Sequence, residues 1–419
     1  MKEIQIEEQL SPLEKTLDFK DGGDPGTTFK KNGQTSIHRW YSYVEGFSWI
    51  FVRKILQGHV KNSNFVVLDP FCGSGTTLVE ASLSGIPSIG YDVNPFLTFV
   101  SSVKTNFSVN TDEINIELDK IREKTKKFRA KDIPSLNSLN LSTLFANDHV
   151  FGEKILPKVL FLKKCFNQIE NNSIKNLFAL SLCSIIIEIS NYRRGPDLAL
   201  KREKLVNAPV FERFFERISI SVDDLKNLDS SNTIKPKIYT GDSRFLKKIN
   251  ENTADCVITS PPYLNGTNYF RNTKLELWFT EMLSSSEQLH DYREKAITAG
   301  ICDVFKSKRR ETNIPIVREI VKEISEIAYD SRIPVMVSTY FEEISTCFQN
   351  LFRVMKSNAK CYWVVGDSAF SKILVPTDDI TVEIAEKIGF KHEKTDIVRD
   401  RTSRSGLALH ESIITLKKM

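Results

Sequence analysis

The chain has 419 residues, which at about 150 residues per domain means two or three units, or one large enzyme domain carrying an insertion. Hydrophobic residues at 41% and charged residues at 26% match a packed globular protein and exclude a mainly disordered chain, a collagen or a coiled-coil rod. With 58 Lys and Arg against 53 Asp and Glu, the net charge is only +5, so any attraction to a polyanion must come from local basic patches.

The seven cysteines stand apart, with none of the close pairs that build a zinc site, and read as reduced thiols. The N-terminus is acidic and amphipathic where a secretory signal would be basic and then apolar, and no later apolar run is long enough to span a bilayer. A soluble, cytoplasmic protein without a metal is expected.

Residues 1–36 read as an N-terminal arm, since 17–35 are dense in Gly, Asp, Asn and Thr. From 37 to 56, Trp40, Val44, Phe47, Ile50, Phe51 and Ile55 recur at helical spacing and predict one helix. Residues 65–69 form a β-branched apolar run that ends in a glycine-rich turn, and a helical pattern follows as far as Gly85. A second strand at 87–92 leads into a helix from Pro95. Two successive βα units predict a parallel sheet with helices on its faces, and 37–109 read as its first part.

Between 110 and 235 strand patterns nearly vanish, predicting a helical insertion. Basic residues gather on it, first as Lys120, Arg122, Lys124, Lys126, Lys127, Arg129 and Lys131, then as Arg193, Arg194, Lys201, Arg202 and Lys204. Taken alone, such runs are solvated helix faces. The βα rhythm returns in 236–419, with strands at 237–246 and 254–263 and a polar helical segment at 265–335. A long helix follows at 333–355, then a strand at 359–368, a helix at 378–388, and strands at 394–399 and 410–416. The closing strand pair suits a mixed sheet with one antiparallel strand.

Asp69, Pro70, Phe71, Cys72, Gly73, Ser74, Gly75, Thr76 and Thr77 lie where a strand delivers the chain to a helix N-terminus, so a ligand can approach the backbone closely there. No Gly-Lys-Ser/Thr follows, which argues against an ATPase loop. Asp92 ends the second strand, where a carboxylate can accept hydrogen bonds from both ribose hydroxyls, or else cap a helix. Asp242 and Ser243 end the next strand, within reach of an adenine ring, although Asp242 alone reads as a cap. After the apolar strand come Thr259, Ser260, Pro261, Pro262 and Tyr263. The two prolines stiffen an extended backbone, Ser260 and nearby carbonyls can accept from an exocyclic amine, and the Tyr263 ring offers a stacking face. A strand-ending turn with a core tyrosine is the bland alternative.

Together the two segments resemble the cofactor loop and catalytic loop of AdoMet-dependent amino-methyltransferases of DNA, the catalytic loop in its cytosine-N4 variant. The resemblance implies a Rossmann-like α/β fold with a mixed, mainly parallel seven-stranded sheet and a helical insertion, and S-adenosyl-L-methionine as cofactor. It implies cofactor contacts at Asp69, Pro70, Phe71, Gly73, Ser74, Gly75, Thr76, Thr77, Asp92, Asn94, Asp242 and Ser243, with His38 and Trp40 closing the pocket. Ser260, Pro261, Pro262 and Tyr263 are then catalytic. The activity implied is site-specific methylation of cytosine N4 in double-stranded DNA by base flipping, beside a cognate restriction endonuclease. The insertion at 110–235 becomes the candidate DNA-recognition region, with Arg193, Arg194, Lys201, Arg202, Lys204, Arg271 and Lys274 as phosphate contacts and Arg399, Arg401 and Arg404 as a third basic group. The departure is the position of the insertion, between Asp92 and Asp242. Adenine-N6 methylation, RNA guanine-N2 methylation and a non-catalytic DNA-binding subunit stay open. No cysteine follows the prolines, which excludes carbon-5 cytosine chemistry.

Overall fold

A computed structural model describes residues 29–43, 46–59, 62–130, 144–145, 150–195, 197–266, 269–370, 372–403 and 405–419. Most of the arm at 1–36, together with Val44, Lys131 and Arg404, lies outside the described residues.

In chain order the strands are β1 (Val67–Asp69), β2 (Ser88–Asp92), β3 (Tyr192–Arg193), β4 (Ala199–Leu200), β5 (Lys237–Thr240), β6 (Ala254–Thr259), β7 (Met355–Gly366), β8 (Ser368–Phe370), β9 (Ile373–Val375), β10 (Phe390–Thr402) and β11 (Ala408–Lys418). Seven of them form one sheet in the order β10-β11-β7-β6-β1-β2-β5. From β5 to β7 every pairing is parallel, while β11 runs antiparallel between β7 and β10. This is the Rossmann-like mixed sheet expected. β1 and β2 are buried along their whole length, which is why they read as continuous apolar runs rather than alternating ones.

The chain moves outward from β1 to β2 and β5, then crosses back to lay β6 against the other side of β1. That reversal opens a crevice at the C-terminal ends of the strands. Asp69, Asp92, Thr240 and Thr259 all end strands on this edge.

One sheet face packs against helices Pro315–Ile327, Arg332–Val354 and Thr377–Ile388, around Trp363 and Phe348, whose ring centroids are 4.6 Å apart. On the other face lie α1 (Trp49–Leu56), α2 (Thr76–Leu83) and α3 (Pro95–Lys104). The insertion contributes helices Thr111–Lys126, Leu156–Phe166, Asn172–Ile186 and Val210–Lys226, plus the β3–β4 ribbon. Its apolar side is continuous with Phe96 and Val100 of α3 and with buried residues between 270 and 289.

The single helix predicted at 37–56 is broken. A short turn of 3-10 helix covers His38–Trp40, and α1 starts afresh at Trp49, with the Ser48 side chain accepting from Ile50 N at 3.2 Å. The apolar residues that gave the helical spacing serve two different cores, Trp40 that of the insertion and Phe47, Phe51 and Ile55 that beneath the sheet. The segment around residue 40 is clasped by Asp224, which accepts from Ile37 N (3.0 Å), Arg39 Nε (3.1 Å), Arg39 Nη2 (2.5 Å) and Trp40 Nε1 (2.9 Å). Replacing Asp224 with alanine takes their acceptor from the buried Ile37 N and Trp40 Nε1 and should cost about 3 kcal/mol in urea unfolding.

Candidate active site

The crevice holds a cavity that is partly open to solvent. Asp69, Phe71, Gly73, Ser74 and Thr76 supply one side, Asp92, Asn94, Asp242 and Ser243 the floor, and Ser260 and Pro262 the catalytic-loop side. Sequence reading missed Tyr43 and Phe47, which were assigned to a continuous helix, the wall formed by Lys295, Ala296, Ile297 and Ala299, and Tyr269, Phe270 and Asp303. Nothing in the composition of that wall marks it as part of a site.

The remaining residues of the cofactor loop shape it from behind. Pro70 is buried in the turn. Gly75 has φ +84° at the start of α2, where a side chain would be strained and its Cβ would stand 2.7 Å from Ser101 Oγ. Thr77 Oγ1 donates to Ile258 O at 3.3 Å, stapling α2 to β6. His38 and Trp40 do not line the cavity. His38 Nε2 lies 2.8 Å from Glu80 Oε1 behind α2, and Trp40 is held by Asp224. Tyr43, whose ring covers Gly73, stands where those two were expected.

The carboxylates are tightly placed. Asp92 accepts from Gly73 N at 2.9 Å and Asn94 N at 2.8 Å, and burial pushes its pKa up to about 6. Asp69 accepts from Thr259 Oγ1 at 2.7 Å and Phe71 N at 3.1 Å, and burial pushes it up to about 7. Asn94 caps α3 through Phe96 N (3.1 Å) and donates to Thr273 Oγ1 (2.9 Å). Asp242 is gripped by Arg244, Nε to Oδ1 at 2.9 Å and Nη2 to Oδ2 at 2.6 Å. The neighbouring Ser243 hydroxyl is buried with no hydrogen-bond partner among the described residues.

Two tethers hold the Pro-Pro loop. Tyr340 donates to Pro262 O at 3.1 Å, and Tyr263 donates to Glu411 Oε1 at 3.0 Å. Pro261 is buried between them. Tyr263 lies beside the cavity rather than on its wall, with its ring edge near Gly366 and the Arg401 guanidinium. Burial raises its pKa well above the usual range, with the Glu411 charge acting in the same direction. Glu411 was not found from sequence, yet a lone acid within an apolar strand was a usable signal, because such a group needs a partner.

Of the seven expected phosphate contacts, Arg193, Arg194, Lys201, Arg202, Lys204, Arg271 and Lys274, four have partners within the chain. Arg194 pairs with Glu276 and donates to Tyr41 OH (2.7 Å) and Ser42 O (3.0 Å). Lys201 donates to Glu188 O and Ser190 O, each at 2.7 Å, Arg271 pairs with Asp197 at 2.5 Å, and Lys274 donates to Leu144 O. Arg193, Arg202 and Lys204 are exposed on and after the β3–β4 ribbon, and Arg399 on β10 is exposed while Arg401 is half-buried. On helix Thr111–Lys126, Lys120 and Lys126 pair with Glu117 and Glu123 along an exposed face.

Residues 26–99, which include the cofactor loop and Asp92, match the DNA methylase family. Over nearly its whole length the chain is similar to Type II methyltransferases. It is 26% identical to M.BsoBI of Geobacillus stearothermophilus, covering 93% of this chain and 87% of that one. It is 22% identical to M.MvaI of Kocuria varians, covering 86% and 83%. It is 26% identical to M.AvaI of a Nostoc species, covering 88% and 82%.

Tyr263→Phe leaves Glu411 buried without its donor and should lower stability by about 1–2 kcal/mol in denaturant unfolding, while the AdoMet affinity stays unchanged.

Proposed function

We propose that the protein is an AdoMet-dependent DNA methyltransferase that modifies the exocyclic N4 of cytosine in duplex DNA, as the modification enzyme paired with a restriction endonuclease. The observation that carries this reading is the Thr259–Asp69 hydrogen bond, because it brings the first residues of the glycine loop and of the Ser-Pro-Pro-Tyr loop to one cavity.

The cavity fits S-adenosyl-L-methionine. Asp92 has ligated its two nearest backbone N–H groups and keeps acceptor capacity for ribose hydroxyls. The buried, unpartnered Ser243 hydroxyl faces the same space and suits a polar ring edge. Of the four carboxylates on the described wall, Asp242 and Asp303 are paired with Arg244 and Arg293, which leaves Asp69 and Asp92 against Lys295, a balance suited to a cationic ligand.

When bound, the cofactor supplies an electrophilic methyl group on its sulfonium sulfur. Ser260 and the Pro261 carbonyl would accept hydrogen bonds from the target amine and draw its lone pair out of conjugation, so that the nitrogen could take the methyl group as the carbon–sulfur bond breaks to leave a neutral thioether, with one amine proton passing by way of Ser260 to solvent. Tyr340 and Glu411 keep the loop and its aromatic ring from swinging as the base enters. A base reaches this depth only outside the helical stack. The exposed Arg193, Arg202 and Lys204 then serve as phosphate contacts, whereas Arg194, Lys201, Arg271 and Lys274 are spent on internal bonds. The serine that opens the Pro-Pro loop supports N4 over adenine N6 through its resemblance to cytosine-N4 enzymes. Among the described residues no helix is long and apolar enough to cross a membrane.

Unmethylated DNA incubated with the protein and AdoMet, digested to nucleosides and analysed by mass spectrometry, should yield N4-methylcytosine. N6-methyladenine instead would overturn the base assignment, and product on an RNA substrate alone would overturn DNA as substrate. The Asp92 and Asp69 carboxylates favour a cationic ligand when ionised, so AdoMet affinity should rise as pH rises through about 6 and about 7 and level off above that. Calorimetry from pH 5 to 8 should show this slope in the native protein and, in Asp92→Asn, a weaker affinity that keeps only the rise near 7.

A further inference from the structure

Behind the cavity, two of its walls meet at one buried carboxylate. Glu343, on helix Arg332–Val354 and 6% exposed, accepts from Arg244 Nη1 through Oε1 and from Thr298 N at 2.6 Å through Oε2. Lys308 Nζ lies 3.5 Å from Oε1 and also donates to Ala296 O at 2.5 Å. Arg244 turns its other edge to Asp242 and donates through Nη2 to Glu294 O at 3.2 Å.

These bonds join the strand-end pair Asp242 and Ser243 to the wall at 295–299. The wall follows helix Ser286–Lys295 but is itself neither helix nor strand, so its place is set by what it bonds to. Thr298 N goes to Glu343, Ala296 O to Lys308, and Ala299 O to Asn265 N at 2.7 Å, the last reaching the segment just past the catalytic loop. Two acids, Asp242 and Glu343, face two bases, Arg244 and Lys308, so the cluster is electrically balanced where it is buried.

We propose that Glu343 is a positioning residue for the cofactor pocket. It touches no ligand. Through Arg244 it fixes the Asp242–Ser243 floor, through Thr298 it fixes the opposing wall, and it thereby sets the width of the cavity between them. This rests on the reading of the cavity as an AdoMet site.

The test compares wild type, Glu343→Gln and Glu343→Ala by AdoMet calorimetry, DNA mobility shift and steady-state methyl transfer. Glu343→Ala frees both walls and should raise the Kd and the KM for AdoMet about tenfold or more, with kcat at saturating AdoMet and DNA affinity unchanged. Glu343→Gln keeps an acceptor for Thr298 N while losing the charge beside Arg244, so its rise should be smaller. If the alanine variant does not fold, the glutamine variant carries the test alone. Asp255→Ala, which removes the acceptor of Val66 N and Lys356 Nζ at the opposite end of the sheet from the cavity, should leave the Kd of the folded protein at the wild-type value. AdoMet affinity unchanged in both Glu343 variants, or lowered equally by Asp255→Ala, overturns the proposal. A wild-type protein that takes up no AdoMet overturns the cofactor reading and this proposal with it, whereas normal binding by wild type and variants alike overturns only the role of Glu343.

Discussion

The hydrogen bond from the Thr259 hydroxyl to the Asp69 carboxylate, 2.7 Å long across adjacent strand ends, is the junction on which the site depends. β1 and β6 are parallel neighbours, so both deliver their loops to the same edge, and this bond fixes one loop start against the other. Thr77 adds a second tie from α2 to the end of β6. A cofactor-binding turn and a base-binding turn separated in sequence therefore share one frame, with loop geometry inherited from a sheet that has little freedom to deform.

Burial sets the electrostatic character of that frame. Asp69 and Asp92 are held away from water by the sheet and by the glycine turn, and each is pushed up in pKa by that desolvation despite receiving hydrogen bonds that favour its charge. The cost of keeping carboxylates there falls when a positively charged ligand enters the cavity. Arg244 pairs with Asp242 within the chain, which leaves Asp242 fixed and the buried Ser243 hydroxyl the one without a hydrogen-bond partner among the described residues.

Sequence patterns carried the strand order and the two loops because these rest on local chemistry: β-branched runs, glycines with special backbone needs, and paired prolines. They failed where one stretch of chain serves two cores, as from Trp40 to Ile55, whose helical spacing is real but is interrupted before α1. His38 and Trp40 were placed by resemblance at the pocket mouth, and their neighbour Tyr43 lies there instead, since Glu80 and Asp224 pull the former two inward. Glu343 and the 295–299 wall were illegible because their meaning arises only from contacts between segments far apart in the chain. The β10 and β11 strands are longer than expected, extending to residues 402 and 408, where polar alternation masked the pairing.

The Thr259–Asp69 pair is separated by 190 residues, a distance that acquires meaning on the ribosome. At about 5–20 residues per second, roughly 10 to 40 s pass between the emergence of β1 and that of its partner β6. Throughout that interval one edge of β1 is a bare row of peptide groups, flanked by apolar side chains that later become core. The insertion helices emerge in this window and cover the outer side of α3, while that edge of β1 stays open until β6 arrives.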